Sequence, residues 1–292
     1  MRPSQIALAV LVMALWGFNF VPIKVVVSEI PPLFVVALRF AIVGLLLAPF
    51  VRLPRGSLRR TLLAAFVMGV LHFSFTYSGL RTIDAAAAAL VLQLQVPFSV
   101  LLGALLLKER FGWRTTLGIA IAFLGAVLMA GEPDIAAEPL GLVLLLGSAL
   151  TWAYGNVLIK RLEDVSPLAL TALVSGLAAP PMFALSFALE QDQIASLMTA
   201  SVWAHLSIVY MIVAASIISY GIWFHLLSRY PVYRIMVFIL LTPLFAVSSA
   251  VPILGERIGW LEGIGGALTV AGVALVVLRR AKRLKDAQAP IA

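Results

Sequence analysis

Residues 5–27 of this chain read QIALAVLVMALWGFNFVPIKVVV, and residues 139–160 read PLGLVLLLGSALTWAYGNVLIK. Each stretch is long enough to cross a bilayer as one helix, because a helix rises about 1.5 Å per residue and the hydrocarbon layer is about 30 Å thick. Both contain a tryptophan followed, after seven intervening residues, by a lysine, beginning at Trp16 and at Trp152. The two stretches therefore predict membrane-spanning helices that belong to an internal repeat.

The composition indicates that most of the chain is solvated by lipid. Of its 292 residues, 62% are hydrophobic and 12% are charged, and the mean hydropathy is +1.08. A soluble domain is about half apolar and about a quarter charged. The excess of apolar residues excludes a soluble enzyme, a nucleic-acid-binding domain and a disordered chain. The absence of cysteine excludes a disulfide scaffold and a thiolate metal site.

Apolar runs of similar length recur along the chain and are separated by turn residues or charges. They are too long and too uniformly apolar to be barrel strands. The expected spans cover residues 5–27, 32–51, 61–80, 84–107, 113–131, 139–159, 167–189, 203–226, 232–254 and 260–278. The predicted fold class is an all-α polytopic membrane protein with ten transmembrane helices. The first run is expected to be a permanent span, and residues 190–200 are expected to hold a short interfacial helix.

The basic residues are distributed unevenly between alternate connections. If the N-terminus is cytoplasmic, 17 of the 21 Lys and Arg residues fall on the cytoplasmic side and 3 on the opposite side, while Arg39 lies within the second span. Basic loops are retained in the cytoplasm. The distribution therefore predicts that both termini are cytoplasmic. It also explains the net charge of +8 without a nucleic-acid partner, and none is expected.

The two halves share four features in the same order. The tryptophan stretches are 136 residues apart, and the later features are about 147 apart, so the second half carries an insertion of 11 residues. The later features are the segments 108–113 (KERFGW) and 255–260 (GERIGW), the pair Pro97 and Pro243, and the glycines Gly118 and Gly125 against Gly265 and Gly272. We predict a first five-helix repeat over residues 1–131, a second over 139–278, and a basic cytoplasmic tail over 279–292.

An odd number of helices in each repeat has a mechanical consequence. The second repeat must enter the membrane from the opposite side, so the two repeats are inverted relative to each other. Inverted repeats are the architecture of alternating-access transporters, whose substrate sites lie near the middle of the bilayer between the repeats. The sequence thus predicts two inverted five-helix repeats around a central site.

The motifs resemble those of the drug/metabolite transporter superfamily, in its ten-helix EamA-type branch. The resemblance rests on residues 16–24 (WGFNFVPIK), residues 38–40 (LRF), Glu109 and Glu256 after the fourth and ninth spans, and the glycine-rich fifth and tenth spans. The chain looks most like YddG-type bacterial exporters of amino acids and related metabolites. This resemblance implies export of a small molecule across a bacterial inner (plasma) membrane.

One departure from the superfamily bears on coupling. Its four-helix multidrug members carry a membrane-embedded glutamate in the first helix, whereas residues 13–16 here read MALW. Export of cations coupled to protons through a buried carboxylate is therefore not expected.

Polar and aromatic residues at mid-span depth are the candidates for substrate binding, because polar groups in hydrocarbon are costly unless they are paired or face a wet cavity. These candidates are Trp16, Asn19, His72, Thr76, Tyr77, Gln93, Gln95, Ser148, Trp152, Asn156, Ser216, Tyr220, Trp223 and Ser248. Their aromatic, amide and hydroxyl groups suit a neutral or zwitterionic solute with an apolar side chain. A polyanion would need several buried Lys or Arg residues.

Each candidate also has a structural alternative. A single Ser or Thr can bond a carbonyl of its own helix, and the tryptophans can be packing residues. Tyr77 lies near a span end and can belong to the interfacial aromatic belt. His72 can be a hydrogen-bonded interior histidine instead of a proton carrier. Gln93 and Gln95 are two residues apart, so at least one must bond a neighbouring helix.

Three further positions within the spans carry expectations of their own. Pro97 and Pro243 each remove a backbone donor at mid-span, so we expect hinges there, with static kinks as the alternative. Arg39 is a charge inside the second span. It is expected to bond backbone carbonyls, snorkel or line a wet path, and Glu29 is only a guess at its partner.

Other features lie at helix ends and on helix faces. Glu109 and Glu256 are expected to cap helices or form ion pairs at the membrane surface. The glycines of the fifth and tenth spans form small-residue faces that let helices approach closely. We expect these faces to pack together within a monomer, with a dimer contact as the alternative.

The predicted function is a secondary transporter that exports small neutral or zwitterionic metabolites, with amino acids as the favoured class. The alternatives are a transporter or flippase for another metabolite or lipid class, and an intramembrane enzyme. The enzyme is disfavoured because the chain has neither a His-Glu-x-x-His motif nor a mid-span aspartate pair. The expected partners are a small-molecule substrate and the lipid bilayer, and no cofactor or metal is expected.

Overall fold

The computed structural model describes residues 2–50, 58–107, 112–160, 167–230 and 237–287. Across these ranges the chain is helical and contains no strand. Glu109 and most of the 108–113 segment lie outside the described residues, as do residues 288–292 of the basic tail.

All ten expected runs are helical where they are described, so the predicted fold class is confirmed. Within the described ranges, eight helices are long and apolar enough to cross a membrane, and the second and ninth are shorter apolar helices. Spans 1 to 10 are Pro3–Glu29, Pro32–Leu47, Arg59–Thr82, Ala85–Leu106, Trp113–Ala130, Pro139–Ile159, Ala169–Leu189, Val202–Trp223, Phe238–Leu254 and Trp260–Leu278. The helix of span 10 continues to Ala287.

Spans 5 and 10 pack against each other in antiparallel orientation. A Cβ atom added to Gly118 would lie 2.8 Å from the carbonyl oxygen of Gly272, and one added to Gly265 would lie 2.5 Å from that of Gly125. The residue numbers rise along one helix as they fall along the other. Inverted repeats produce this arrangement at their two-fold axis. The expectation that the two glycine faces meet within one chain is confirmed.

Helical irregularities recur at equivalent positions of the two halves. Span 3 contains a π-helical segment at Phe66–Leu71, and span 8 contains one at Val213–Ile218. Spans 4 and 9 contain 3₁₀ segments at Leu92–Leu94 and Val237–Leu241, just before their matched prolines. Isolated π and 3₁₀ turns inside long helices often mark functional sites and hinges. The four segments therefore indicate candidate functional sites or hinges in the interior of spans 3, 4, 8 and 9.

The connector after span 7 runs from Glu190 to Ser201. It contains the short helix Gln193–Thr199, as expected. The chain enters this helix through Asp192 in the left-handed region, at a φ of 57°. Span 1 is also interrupted, since helix Pro3–Phe18 gives way to helix Phe20–Glu29 at Asn19.

Among the described residues, four glutamates at one end of the bundle accept hydrogen bonds from helix starts. Glu29, Glu190 and Glu256 each bond a helix of the other half, and Glu132 lies in the connector between the halves. We call this end the carboxylate end. The bonds run from Ser201 N–H to Glu29 (2.6 Å), from Leu33 and Phe34 N–H to Glu190 (2.9 and 3.1 Å), from Ala85 and Ala86 N–H to Glu256 (2.7 and 2.9 Å), and from Leu261 and Glu262 N–H to Glu132 (2.8 and 3.1 Å). A carboxylate satisfies the free N–H groups of a helix start and interacts favourably with its dipole. These contacts therefore hold the halves together at this end.

The capping role expected for Glu256 is confirmed, although the helix it caps belongs to the other half. Burial raises the pKa of the Glu256 carboxyl, and the N–H donors of Ala86 and Ala85 oppose that effect. Lys24 lies nearby, donating to the carbonyl oxygen of Ile83 at 2.7 Å and lying 3.8 Å from Asp84. The carboxylate end is thus a polar, hydrogen-bonded layer.

Candidate functional site

Arg39, in the middle of span 2, bonds residues of both halves. It is only 4% exposed. Its Nη1 donates to the Tyr77 phenol oxygen in span 3 at 2.7 Å, and its Nε and Nη2 donate to Ser216 Oγ in span 8 at 3.1 and 2.9 Å. The guanidinium carbon lies 5.4 Å from the centre of the Phe73 ring, within range of a cation–π interaction. One buried cation therefore joins three spans at the seam between the halves.

The π-helical segment of span 8 positions the acceptor for this cation. Ser216 Oγ donates to the carbonyl oxygen of Met211, five residues earlier, at 2.8 Å. Its single donor and its two acceptor sites are then all used, because Arg39 supplies two N–H groups. Tyr77 is held in a similar way, since its phenol also donates to the sulfur of Met211 at 3.3 Å.

A second polar group joins spans 3 and 6. His72 Nδ1 lies 2.8 Å from Ser148 Oγ, and Thr76 Oγ1 lies 2.5 Å from the same oxygen. The ring centres of His72 and Trp152 are 4.8 Å apart. His72, Thr76 and Ser148 are buried. Four of the predicted binding candidates thus lie together, and His72 is hydrogen-bonded in the interior.

A group of aromatic side chains lies between spans 1 and 8. The Trp16 ring centre lies 5.4 Å from that of Tyr220 and 5.3 Å from that of Trp223. Trp16 Nε1 donates to the carbonyl oxygen of Ala215 at 3.2 Å. Tyr220 is one helical turn from Ser216, so the aromatic group adjoins the Arg39 group. Trp16 and Tyr220 are half-buried, which leaves part of their apolar surface available for contact.

The structure contradicts one alternative and one guess that the sequence raised about this region. Tyr77 is fully buried at 0% exposure, so it does not belong to an interfacial aromatic belt. The position of Tyr77 near a span end suggested the membrane interface, but span 3 passes through the bundle interior at that position. Glu29 does not pair with Arg39, because its carboxylate bonds the N–H and hydroxyl of Ser201 at the carboxylate end.

Other candidates lie away from these groups. Ser248 is exposed and donates to the carbonyl oxygen of Phe245 in its own helix, and Asn156 is exposed toward the end of span 6. Gln95 and Asn19 are half-buried. Gln93 is buried, and its Oε1 atom, like Oδ1 of Asn19, has no hydrogen-bond partner among the described residues. The matched prolines Pro97 and Pro243 are both buried.

The site residues that sequence reasoning left out of its candidate set are Arg39, Phe73 and Met211. Arg39 carried a usable signal, because a charged residue in the middle of a span marks a functional site by default. Phe73 and Met211 look like ordinary apolar residues of a span, and only packing reveals that they contact Arg39 and Tyr77.

Comparison with known proteins places the chain in a family. A model of the EamA-like transporter family matches residues 3–131 and again residues 139–278. The chain belongs to the EamA-like transporter family. This EamA-like protein is therefore a multi-pass membrane transporter of small metabolites and not an enzyme, as the sequence predicted.

Two relatives of this EamA-like transporter are similar over nearly their whole length. One is a probable amino-acid metabolite efflux pump of Escherichia coli K12, 34% identical over 290 residues, covering 95% of this chain and 97% of that protein. The other has the same description, comes from Salmonella typhimurium LT2 and is 36% identical over 276 residues, covering 91% and 92%. A crystal structure of a protein with 21% identity aligns with a TM-score of 0.61 over 98% of this chain and 100% of that one, which supports the fold.

Proposed function

We propose that this protein exports amino acids and related zwitterionic metabolites by alternating access. The observation that carries the proposal is the group at the seam, where the Arg39 guanidinium adjoins the half-buried aromatic surface of Trp16 and Tyr220. A cationic group beside an aromatic surface suits a solute that combines a carboxylate with an apolar side chain. The description of the two similar efflux pumps agrees with this substrate class.

Reconstitution in lipid vesicles tests this proposal. The purified protein is incorporated into vesicles that contain an unlabelled amino acid, and counterflow of the labelled amino acid is measured for phenylalanine, leucine, threonine and cysteine. Vesicles without protein are the control. Uptake of at least one amino acid above that control is expected. If none is taken up, amino acids are not the substrate class.

We further propose that residues 1–131 and 139–278 work as the two moving units. At the carboxylate end, three carboxylate contacts join the two units, made by Glu29, Glu190 and Glu256. Alternating access requires these contacts to separate when the opposite end closes. Their separation would open the central site toward the carboxylate end.

The membrane side of each end is a separate proposal. We propose an inner-membrane protein whose two termini and basic tail (residues 279–292) are cytoplasmic, because 17 of the 21 Lys and Arg residues fall on that side. The chain has no cysteine, so introduced cysteines are free of background labelling. In intact cells an impermeant maleimide should label D192C and should reach A287C only after permeabilisation. Labelling of both from one side would contradict the assignment.

We propose that Pro97 and Pro243 are hinges at which spans 4 and 9 bend. Each is buried and follows a 3₁₀ segment at an equivalent position of the repeat. Pro97→Ala restores a backbone donor and should slow counterflow while leaving the amount of folded protein unchanged. Pro252→Ala, at an exposed position of span 9, is the matched control. An unchanged counterflow rate in Pro97→Ala would favour a static kink.

We propose that the protein acts as a monomer. The small-residue faces of spans 5 and 10, which were the candidates for a dimer contact, are packed against each other within the chain. A molecular mass measured in detergent by light scattering should correspond to one chain. A mass of two chains would contradict the proposal.

A further inference from the structure

Among the described residues, no anionic side chain forms a hydrogen bond or an ion pair with Arg39. Arg39 is buried, and a guanidinium stays protonated inside proteins. Within the described ranges its hydrogen-bond acceptors are the neutral hydroxyls of Ser216 and Tyr77, and the ion pair present is that of Lys24 with Asp84. An uncompensated charge at this depth is costly, and intramembrane charges generally line substrate pathways. Arg39 is therefore more than a packing residue.

The guanidinium also has the geometry of an anion receptor. A neutral hydroxyl occupies the position at which an anion would bind. The Nε–H and Nη2–H edge of arginine binds a carboxylate through two parallel hydrogen bonds. Here both N–H groups converge on one oxygen atom, Ser216 Oγ, at 3.1 and 2.9 Å. A single hydroxyl oxygen thus stands where two carboxylate oxygens fit.

We propose that Arg39 binds the carboxylate of the transported substrate. The two carboxylate oxygens replace Ser216 Oγ on Nε–H and Nη2–H, while Nη1 keeps its bond to Tyr77. The substrate side chain then lies toward the aromatic surface of Trp16 and Tyr220, because Tyr220 is one turn from Ser216. This inference rests on the proposed function and narrows it to substrates that carry a free carboxylate.

The same exchange links binding to movement of the halves. Arg39 belongs to the first half and Ser216 to the second, so their bonds connect the halves at the seam. A substrate that takes these two N–H groups removes that connection. The bound substrate therefore interacts differently with the conformation in which the halves are joined and the one in which they are separated. A ligand must have such a difference in affinity to shift a conformational equilibrium.

Competition on the wild-type protein tests the inference without any variant. For each amino acid that shows counterflow, its carboxamide and its amino alcohol are added as competitors, since both keep the side chain and the amino group but lack the carboxylate. We expect each competitor to be at least about 30-fold weaker than the unlabelled amino acid. This is the usual effect of removing one partner of a buried charge pair.

The result separates the two proposals. If the carboxamide competes as well as the amino acid, Arg39 is not a carboxylate receptor, although amino-acid transport still stands. If no amino acid in the panel shows counterflow, the proposed function fails and this inference fails with it.

Variants of the seam provide a second test. Arg39→Gln should raise the half-saturation concentration about 30-fold or more, and Arg39→Lys should lie between it and the wild type, because lysine keeps the charge but not the fork. Arg81→Gln, which removes an exposed charge at the carboxylate end of span 3, is the matched control and should behave as the wild type. An unchanged half-saturation concentration in Arg39→Gln would overturn the inference.

Ser216→Ala gives an effect that a merely structural role would not produce. Removing the hydroxyl frees the Nε–H and Nη2–H groups for substrate, so the half-saturation concentration should fall by about threefold or more, as for loss of one competing hydrogen bond. The amount of protein that elutes as a single folded species is measured alongside. A folded Ser216→Ala protein with weaker substrate binding would contradict the exchange of partners.

Discussion

Replacing Glu190 by alanine should destabilise the folded protein by about 2–6 kcal/mol, because two buried N–H groups lose their acceptor and each unsatisfied buried donor costs about 1–3 kcal/mol. The carboxylate accepts from the N–H groups of Leu33 (2.9 Å) and Phe34 (3.1 Å) and from the hydroxyl of Ser186 (2.7 Å). Leu33 and Phe34 are both buried, so water does not readily replace the carboxylate. The measurement is the midpoint of thermal unfolding in detergent.

Two other variants separate capping from charge. Glu190→Gln keeps one acceptor oxygen and should lose less stability than Glu190→Ala. Asp192→Asn neutralises an exposed acid of the same connector and should leave the midpoint unchanged. If Glu190→Ala unfolds at the wild-type midpoint, the cross-half cap does not contribute to stability.

Replacing Gly265 by valine should separate spans 5 and 10 and destabilise the protein by about 3 kcal/mol, at the upper end of the usual cost of overpacking. A Cβ atom at Gly265 would lie 2.5 Å from the carbonyl oxygen of Gly125 and 2.9 Å from the backbone nitrogen of Met129. Both obstacles are backbone atoms, so no side chain can rotate away to relieve the contact. We expect the midpoint of unfolding to fall by roughly 6–12 °C.

Span 10 offers a matched control for this variant. Gly263 is exposed on the same helix, and among the described residues a Cβ there would meet only Ile258, at 3.7 Å. Gly263→Val should therefore keep the wild-type midpoint. Equal midpoints for Gly265→Val and Gly263→Val would contradict the close antiparallel packing of spans 5 and 10.

The architecture was largely predictable because lipid imposes a simple rule. Every span must satisfy its own backbone and present apolar side chains for about 30 Å, so length and composition alone indicate where the helices lie. Matched residues at regular offsets then indicate the repeat, as with Trp16 and Trp152. The irregular turns at Phe66–Leu71 and Val213–Ile218 were not predictable, since their sequences are ordinary apolar runs.

The candidate site was predictable only in part. Side chains four residues apart share a helix face, so helical spacing by itself places His72 with Thr76 and Ser148 with Trp152. Spacing does not indicate which face of one helix meets which face of another. For that reason Arg39 was left without its partners, and Ser248 was included among the binding candidates although it is exposed and bonds its own helix.

The amino-acid sequence by itself determined the membrane class, the ten helices and their inverted duplication, because those properties depend on length, hydropathy and the order of residues along the chain. Only the tertiary structure decided that glutamates of each half cap helices of the other, and that Arg39 meets Ser216 across the seam. These contacts join residues 157 to 177 positions apart, and packing of the helices in three dimensions brings such residues together without leaving a local pattern in the sequence.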